Sequence, residues 1–386
     1  MFNKLIKWSL ENRLIVIVFG IILFIFGSVA SINTPVDVLP EFAPPQVIIQ
    51  THAPGYAAEE VEALVTIPLE SALNGIANIR AIRSNSIEGL SFVTVVFEWG
   101  HDVYRARQLV AEKTQQVAKS FPPSIKTPIL SPITSPIGFT YFFALTSKST
   151  SLMELRSYAD WEIKNKLLAI PGVASVLVYG GDLKQYQILV NPNKLKQYGL
   201  SLGQIVDAAN EANAIVGGGY LLDSEKEYLI RGIGKIKSIE ELGDSVITAK
   251  DGVPIYLKDV AKVKLGAAFK RSYGSVNGKQ AVYVIVNKQP WTNTVQLSKK
   301  IESALSDIKK ALPLDVKITK TFNQADFVNV SIRNILSSIL QGSILVIIVL
   351  FMFLGNWRTS FISLVAIPLS IIVAILILKA FGQTIN

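Results

Sequence analysis

The chain of 386 residues is half apolar, and only 17% of its residues are charged, whereas soluble domains usually carry about 25%. This shortfall indicates that part of the chain lies in a membrane, and the length suggests two or three domains. The absence of cysteine excludes disulfides, thiolate metal sites and cysteine nucleophiles. Because His52 and His101 are the only histidines, a histidine-rich metal cage within this chain is also excluded.

The formal net charge of +9 does not indicate a nucleic-acid partner. Residues 1–13 and 334–386 each carry a net charge of +2. Between them, 33 basic and 28 acidic side chains alternate along the sequence. A nucleic-acid-binding protein gathers its basic residues in one stripe, so we expect a solvated surface of mixed charge and no nucleic acid.

Three uncharged runs are long enough to cross a membrane, which takes about 20 apolar residues. The first covers residues 14–36 and follows Lys4, Lys7 and Arg13, a flank that predicts a cytoplasmic N-terminus. A cleaved signal peptide with a small-residue site at 28–30 is the alternative. The apolar run is, however, longer than the usual signal core of about 7–15 residues, which favours an uncleaved span.

The second and third runs cover residues 334–357 and 359–378, with Arg358 between them. So short a link forces an antiparallel hairpin, and Arg358 places it on the cytoplasmic side. Pro368 predicts a kink in the third span, which neighbouring helices can tolerate. Residues 37–333 then lie outside the cytoplasm as one folded insertion. The odd number of spans and the abrupt end at 386 suggest the front part of a longer protein.

The insertion repeats one supersecondary pattern. In residues 37–130, strands at 46–52, 79–84 and 91–98 and helices at 57–73 and 102–119 give β-α-β-β-α, with a final strand near 125–130. Asp102 is the expected N-cap of the second helix. This is the split β-α-β, or ferredoxin-like, pattern.

The pattern recurs in interrupted form. Residues 131–181 and 271–333 complete a second unit of the same kind, and residues 182–270 form an inserted domain. The predicted fold is therefore an α/β membrane protein. Its remaining parts are the cytoplasmic start with the first span (1–36), the second span (334–357) and the third span with the end (358–386).

A triple glycine stands in the inserted domain, with apolar residues on both sides. Three glycines are not expected to hold a helix or a packed strand. A flexible surface loop is one interpretation. The other is an extended hairpin whose apolar flanks are buried by another subunit. The residues concerned are Ile215, Val216, Gly217, Gly218, Gly219, Leu221 and Leu222.

The sequence gives no argument for an enzyme. The segment from Gly274 to Gln280 is one residue short of a Walker A spacing and lacks its Ser or Thr. Neither histidine has a second histidine four residues away, and no G-x-S-x-G motif occurs. Neighbouring carboxylates such as Glu59 and Glu60 point in different directions on a helix. We therefore predict no catalytic residues and no cofactor.

The sequence resembles the N-terminal portion of an RND (resistance-nodulation-division) efflux pump over essentially its whole length. The first cue is NTPVDVLPEF at 33–42, directly after the first span, and YGLSL at 198–202 is another. These two cues are most similar to the heavy-metal efflux branch. Further cues, in order, lie at 54–56, 59–62, 73–76, 97–102, 105–107, 170–173, 191–192, 253–261 and 356–358.

The resemblance implies the inner-membrane permease of a bacterial tripartite assembly. It implies a homotrimer in the lipid bilayer, with a periplasmic adaptor (membrane fusion) protein and an outer-membrane channel as partners. Residues 37–130, and the interrupted unit, would be porter subdomains, and 182–270 a docking subdomain that reaches into its neighbour by a long loop. The exported solute would be a heavy-metal cation or a small toxic compound, driven by proton antiport.

The resemblance also implies functions that this chain does not contain. The acidic residues of the family's proton relay follow the point where this chain stops, and the second and third spans hold no ionisable residue. A shortened chain, a gene fragment and one part of a split pump all remain open. Alternatives to transport are a membrane-anchored periplasmic scaffold and a protein-export accessory subunit.

Two site predictions follow from the resemblance. Phe139, Tyr141 and Tyr179 fall near aromatic positions that line the drug pocket of the multidrug branch, although ordinary strand packing is the alternative. Phe139 and Tyr141 should share one face of a strand. High-affinity metal ligands are expected outside this chain, because soft ions want thiolate or thioether ligands and Met153 is the one methionine expected to face the periplasm.

Overall fold

The computed structural model describes residues 2–32, 43–134, 138–212, 215–223, 226–233, 236–250, 252–354 and 357–380. Strands are numbered β1 to β16 in chain order, and helices are identified by their residues. The strands are β1 Gln46–His52, β2 Ile79–Ile87, β3 Leu90–Phe97, β4 Ile129–Leu130, β5 Phe139–Thr146, β6 Val173–Tyr179, β7 Lys184–Val190, β8 Ile215–Asp223, β9 Lys226–Ile233, β10 Val246–Lys250, β11 Val253–Tyr256, β12 Ala261–Ala267, β13 Ser275–Val276, β14 Lys279–Gln280, β15 Val282–Lys288 and β16 Lys317–Asn323.

Two of the helices contain a π-helical turn. Ala58–Val61 continues through the turn Glu62–Thr66 into Ile67–Leu73, and Leu152–Ser157 continues through Tyr158–Ile163 into Lys164–Leu168. Each is the first helix of its β-α-β-β-α-β unit. The other helices are Phe2–Glu11, Arg13–Ile32, Val103–Ala118, Pro192–Tyr198, Leu202–Glu211, Ile239–Gly243, Leu257–Val260, Thr294–Ala311, Gln324–Leu354 and Trp357–Ala380.

The first sheet has the order β2-β3-β1-β4, and its strand pairs are antiparallel. The helix Val103–Ala118 begins at Asp102, whose side chain accepts a hydrogen bond from the Tyr104 amide, which confirms the predicted N-cap. Alternate strand residues and one stripe of each helix face one another and form a buried core. Its members include Val47, Ile49, Val61, Val65, Leu69, Leu73, Val93, Val95, Phe97, Ala106 and Val110.

The second sheet repeats this arrangement with the order β16-β5-β15-β6. Its helices are 152–168 and Thr294–Ala311, and the first begins with a capping box between Ser151 and Glu154. Both helices pack on the same face of the sheet. The core includes Phe143, Leu145, Leu155, Ile163, Leu167, Val176, Val282, Val284, Val286, Leu297, Ile301 and Ile308.

The chain leaves the second unit after β6 and returns to it before β15. These two segments lie side by side, and together they are called the neck. Two contacts join the outgoing segment to the returning one. The Gly180 amide donates to Ser272 Oγ at 3.0 Å, and Asp182 pairs with Lys270 at 2.9 Å. Gly180 has a φ of 71°, and a Cβ at this position would lie 2.6 Å from the Gly274 amide nitrogen. Glycine is therefore required where the two strands of the neck touch.

The inserted segment has its own small core. The sheet β7–β12 and the hairpin β10–β11 pack against the short helices, and the hairpin β8–β9 belongs to the same segment. The buried residues of this core are Ile205, Leu242, Ile255, Leu257 and Val260.

Two helices in the described part of the chain are long and apolar enough to cross a membrane, over Arg13–Ala30 and Gln324–Phe353. A third helix, Trp357–Ala380, contains the shorter apolar stretch Pro368–Leu378 and packs against both. A Cβ built at Gly27 would overlap the Ile372 side chain. The small residue thus lets two of these helices approach closely.

Asp315 lies in the turn before β16 and is hydrogen-bonded to the loop that follows β5. Its carboxylate accepts hydrogen bonds from Ser147 Oγ, from Ser149 Oγ at 2.6 Å and from Thr150 Oγ1 at 3.0 Å. These bonds, with that of Ser147 the strongest, hold the pKa of Asp315 well below its usual range.

Because its pKa is lower in the folded than in the unfolded chain, ionised Asp315 stabilises the fold above about pH 4 and loses this effect as the pH falls further. Asp315→Asn should lower the thermal midpoint at neutral pH and flatten its dependence on pH below about 4. The measurement is thermal unfolding of the detergent-solubilised chain, with Asp207→Asn, an exposed carboxylate, as the control. An unchanged pH dependence in Asp315→Asn would contradict the assignment.

Candidate functional site

One face of the second sheet is aromatic and points away from its two helices. This aromatic face consists of Phe139, Phe142, Tyr179, Tyr283 and Phe322. The ring centroid of Phe142 lies 4.8 Å from Phe322, 5.8 Å from Phe139 and 6.3 Å from Tyr283. Tyr179 pairs with Tyr283 in the register of β6 and β15. Phe139 is 48% and Tyr179 42% exposed, so the face offers contact to apolar or cationic solutes.

Tyr141 lies on the opposite face of the same strand. It is 4% exposed and belongs to the core beneath the helices. The prediction that Phe139 and Tyr141 share one face is therefore wrong. The reason is a β-bulge, since Asn287 pairs with Phe139 and Val286 with Tyr141, which leaves Thr140 without a residue opposite.

A polar network surrounds the point where β16 becomes the helix Gln324–Leu354. This junction network consists of Tyr141, Ser298, Glu302, Lys320, Asn323 and Asp326. Asn323 is 5% exposed, and its Oδ1 accepts from Ser298 Oγ at 2.9 Å and from the Ala325 amide at 3.0 Å. Its Nδ2 donates to both Glu302 and Asp326 at 3.4 Å.

Charged groups complete the junction network. Lys320 Nζ lies 3.1 Å from Asp326 and 3.7 Å from Glu302, and all three side chains are about half exposed. Such ion pairs contribute under about 1 kcal/mol each. Tyr141 donates to Glu302 at 3.5 Å. Burial, and next the charge of Glu302, raise the pKa of the Tyr141 phenol, so it remains a hydrogen-bond donor at neutral pH.

The predicted intersubunit residues from Ile215 to Leu222 lie in β8, which pairs with β9 as a two-stranded hairpin. The strand runs through the triple glycine, as the interpretation as an extended hairpin requires. The pairing jumps from Gly217 with Arg231 to Tyr220 with Leu229, so Gly218 and Gly219 together oppose one residue of β9. The glycines thus occupy an irregular part of the hairpin, where a missing side chain costs little packing.

The side chains considered as metal ligands lie apart on different elements. His52 ends β1, and His101 precedes the helix Val103–Ala118 and stacks on Phe97 at 5.2 Å. Met153 lies in the helix Leu152–Ser157. Within the described ranges, the structure holds no group of three or more His, Cys, Asp or Glu side chains that could bind a metal ion.

Comparison with known proteins gives a consistent result. The model of the AcrB/AcrD/AcrF family matches residues 5–386. The chain is 36% identical to "Protein HelA" of Legionella pneumophila over 382 residues, which cover 97% of the chain and 36% of that protein. It is 33% identical to "Cation efflux system protein CusA" of Escherichia coli strain K12, covering 100% of the chain and 37% of that protein.

The "Cobalt-zinc-cadmium resistance protein CzcA" of Cupriavidus metallidurans is 31% identical over 96% of the chain and 36% of its own length. Among solved structures, the crystal structure of a heavy metal efflux pump in crystal form I matches with a TM-score of 0.89 and 30% identity. That match covers 98% of this chain and 38% of the other. The chain therefore spans little more than a third of the length of these proteins.

Substitution of Asn323 should weaken the junction network. Asn323→Ala leaves the buried Ser298 hydroxyl and the Ala325 amide without an acceptor, which costs about 1–3 kcal/mol. Chemical unfolding of the detergent-solubilised chain, followed by tryptophan fluorescence, measures the loss. Asn210→Ala, at an exposed position in a helix, is the control. Equal stability of the two variants would show that Asn323 does not fix this junction.

Proposed function

The chain belongs to the AcrB/AcrD/AcrF family, and on that premise we propose that it is part of an RND transporter of the bacterial inner membrane that exports heavy-metal cations. The observation that carries this proposal is the match to a heavy metal efflux pump over 98% of the chain at a TM-score of 0.89. The relatives are transporters, and the sequence shows no catalytic motif.

In this proposal the helices Arg13–Ile32, Gln324–Leu354 and Trp357–Ala380 all span the membrane, with the N-terminus in the cytoplasm. Residues 37–333 are periplasmic. The basic N-terminal flank and Arg358 support this orientation. The third helix packs against the other two, as expected for a membrane bundle.

The periplasmic part consists of two ferredoxin-like porter subdomains, residues 37–130 and residues 131–181 with 271–333. Both have the strand order that supports such a fold. Residues 182–270 form the docking subdomain. We place the pump in a homotrimer that works with a periplasmic adaptor and an outer-membrane channel. We expect no proton relay within residues 334–357 and 359–378, because they carry no ionisable side chain.

The aromatic face is the proposed wall of the solute passage. Phe139 and Tyr179 expose ring surface on it, while the sheet behind is fixed by the core. Aromatic rings attract cations through their faces, and they also accept apolar solutes. Tyr141 supports this wall from behind rather than lining it.

The passage can be tested in the assembled transporter. Phe139→Ala and Tyr179→Ala should each weaken solute binding roughly two- to fivefold, since an exposed cation–aromatic contact is worth about 0.5–1 kcal/mol. The measurement is the accumulation of Cu(I), Ag(I) and Zn(II) in cells that depend on the pump. Accumulation should rise in these variants, because weaker binding lowers export. The control is Trp161→Ala, which removes an exposed ring on the helix side of the same unit. If metal export is unchanged in both Phe139→Ala and Tyr179→Ala, the aromatic face does not line the solute passage.

The β8–β9 hairpin is the proposed contact between subunits. Replacing Ile215, Val216, Leu221 and Leu222 with Ser removes apolar contacts worth about 1.5–3 kcal/mol for each side chain buried at an interface. We expect the trimer to dissociate at concentrations where the native chain stays associated. Native light scattering measures the mass, and Leu202→Ser with Val206→Ser, exposed apolar positions in the same subdomain, is the control. A trimer of unchanged mass in the fourfold variant would refute the contact.

A further inference from the structure

A basic cleft opens on the inserted segment, away from the hairpin and the aromatic face. It has a volume of about 640 Å³ and lies between the end of β7, the helix Pro192–Tyr198, the helix Leu257–Val260 and the start of β12. Lys194, Lys258 and Lys262 line it, and none of the described residues that line it is acidic. Its apolar lining includes the buried Val260 and Ala261.

The three lysines differ in whether their charge is paired with an acidic side chain. Lys258 Nζ lies 2.6 Å from Asp244 and 5.1 Å from the centre of the Tyr256 ring. Both members of that ion pair are more than half exposed, so a stronger anion can displace Asp244. Within the described part of the chain, Lys194 and Lys262 are exposed and form no ion pair. Asp259 is the other acid near Lys258.

The cleft is not built for a single small anion. The first amides of the helix Pro192–Tyr198 donate to Asn191 Oδ1, so they are not available to a phosphate. Among the lining residues that the structure describes there is no arginine to bind an oxyanion in a bidentate manner. The charges are instead point charges on flexible stems. Lys264 extends this row of positive charges, because it lies two residues beyond Lys262 on the same face of β12.

We propose that this cleft is a docking surface for an acidic peptide segment of a partner protein. Carboxylates along an extended segment would meet Lys194, Lys258 and Lys262, while its apolar atoms contact the half-exposed Leu189. Charge complementarity of this kind gives specificity and a fast, salt-dependent association. The inference does not depend on the exported solute or on transport, so either proposal can fail without the other.

A fluorescein-labelled hexaglutamate peptide is the probe, titrated by anisotropy against the full chain in non-ionic detergent. Lys194→Gln with Lys258→Gln and Lys262→Gln should weaken its binding roughly tenfold or more, and added salt should weaken binding to the native chain. The control replaces Lys299, Lys300 and Lys309, three exposed lysines of the helix Thr294–Ala311, with Gln. An equal loss in this control would show attraction by overall charge alone and would overturn the proposal.

A gain-of-binding variant separates docking from damage to the fold. Asp244→Asn releases Lys258 and should strengthen hexaglutamate binding roughly two- to fivefold, which a disturbed fold would not do. Labelled hexaglutamine should not bind. Competition by inorganic phosphate at equal concentration would assign the cleft to a small anion. Displacement of the peptide by phosphatidylglycerol added as mixed micelles with the same detergent, lost in the triple variant, would assign the cleft to lipid headgroups, and either result would overturn the peptide proposal.

Discussion

The strand β16 passes into the helix Gln324–Leu354 without an intervening loop, and this continuity joins the second unit directly to a long apolar helix. A helix that follows a strand directly can take many angles unless side chains hold it. Here the buried Asn323 holds it, since its amide group bonds to the helix Thr294–Ala311 and to the first turn of the membrane helix. A movement of the helix Gln324–Leu354 is therefore expected to move the second sheet with it.

The same junction positions the aromatic face. Phe322 immediately precedes Asn323, and its ring contacts Phe142 on one side and Phe327 of the membrane helix on the other, at 4.8 and 5.7 Å. Two bulges are responsible for this arrangement, one at Thr140 in β5 and one at Thr321 in β16. Each adds a residue and reverses the side to which the next side chains point. Polar residues thus face the helices at the junction, while aromatic residues collect on the other side.

These two bulges are features of the fold that the sequence pattern does not predict. The alternation in β1 predicts a strand at 46–52, which is where the structure has it, and Asp102 is readable as a cap because its bond is local. A bulge depends on the register between two strands far apart in sequence, so the pattern of one strand does not contain it. Phe142 and Tyr283 were missed for a related reason, because the sequence of one strand does not show which aromatic residues of another strand it will pair with, and only the pairing of β5 with β15 brings these two rings together. The junction network likewise joins residues from β5, β16 and two helices.

The position of the inserted segment follows from the repeat itself. In the first unit, β2 and β3 are joined by a tight turn through Glu88 and Gly89. The equivalent strands of the second unit, β6 and β15, are also antiparallel neighbours, with Tyr179 opposite Tyr283, but the chain between them forms a separate subdomain. Because the two ends already lie side by side, a long insertion adds little closure entropy, as each doubling of loop length costs only about 0.6 kcal/mol. The bonds from Gly180 to Ser272 and from Asp182 to Lys270 then join the two ends of the insertion, so the second sheet keeps its register although a whole subdomain lies between two of its strands.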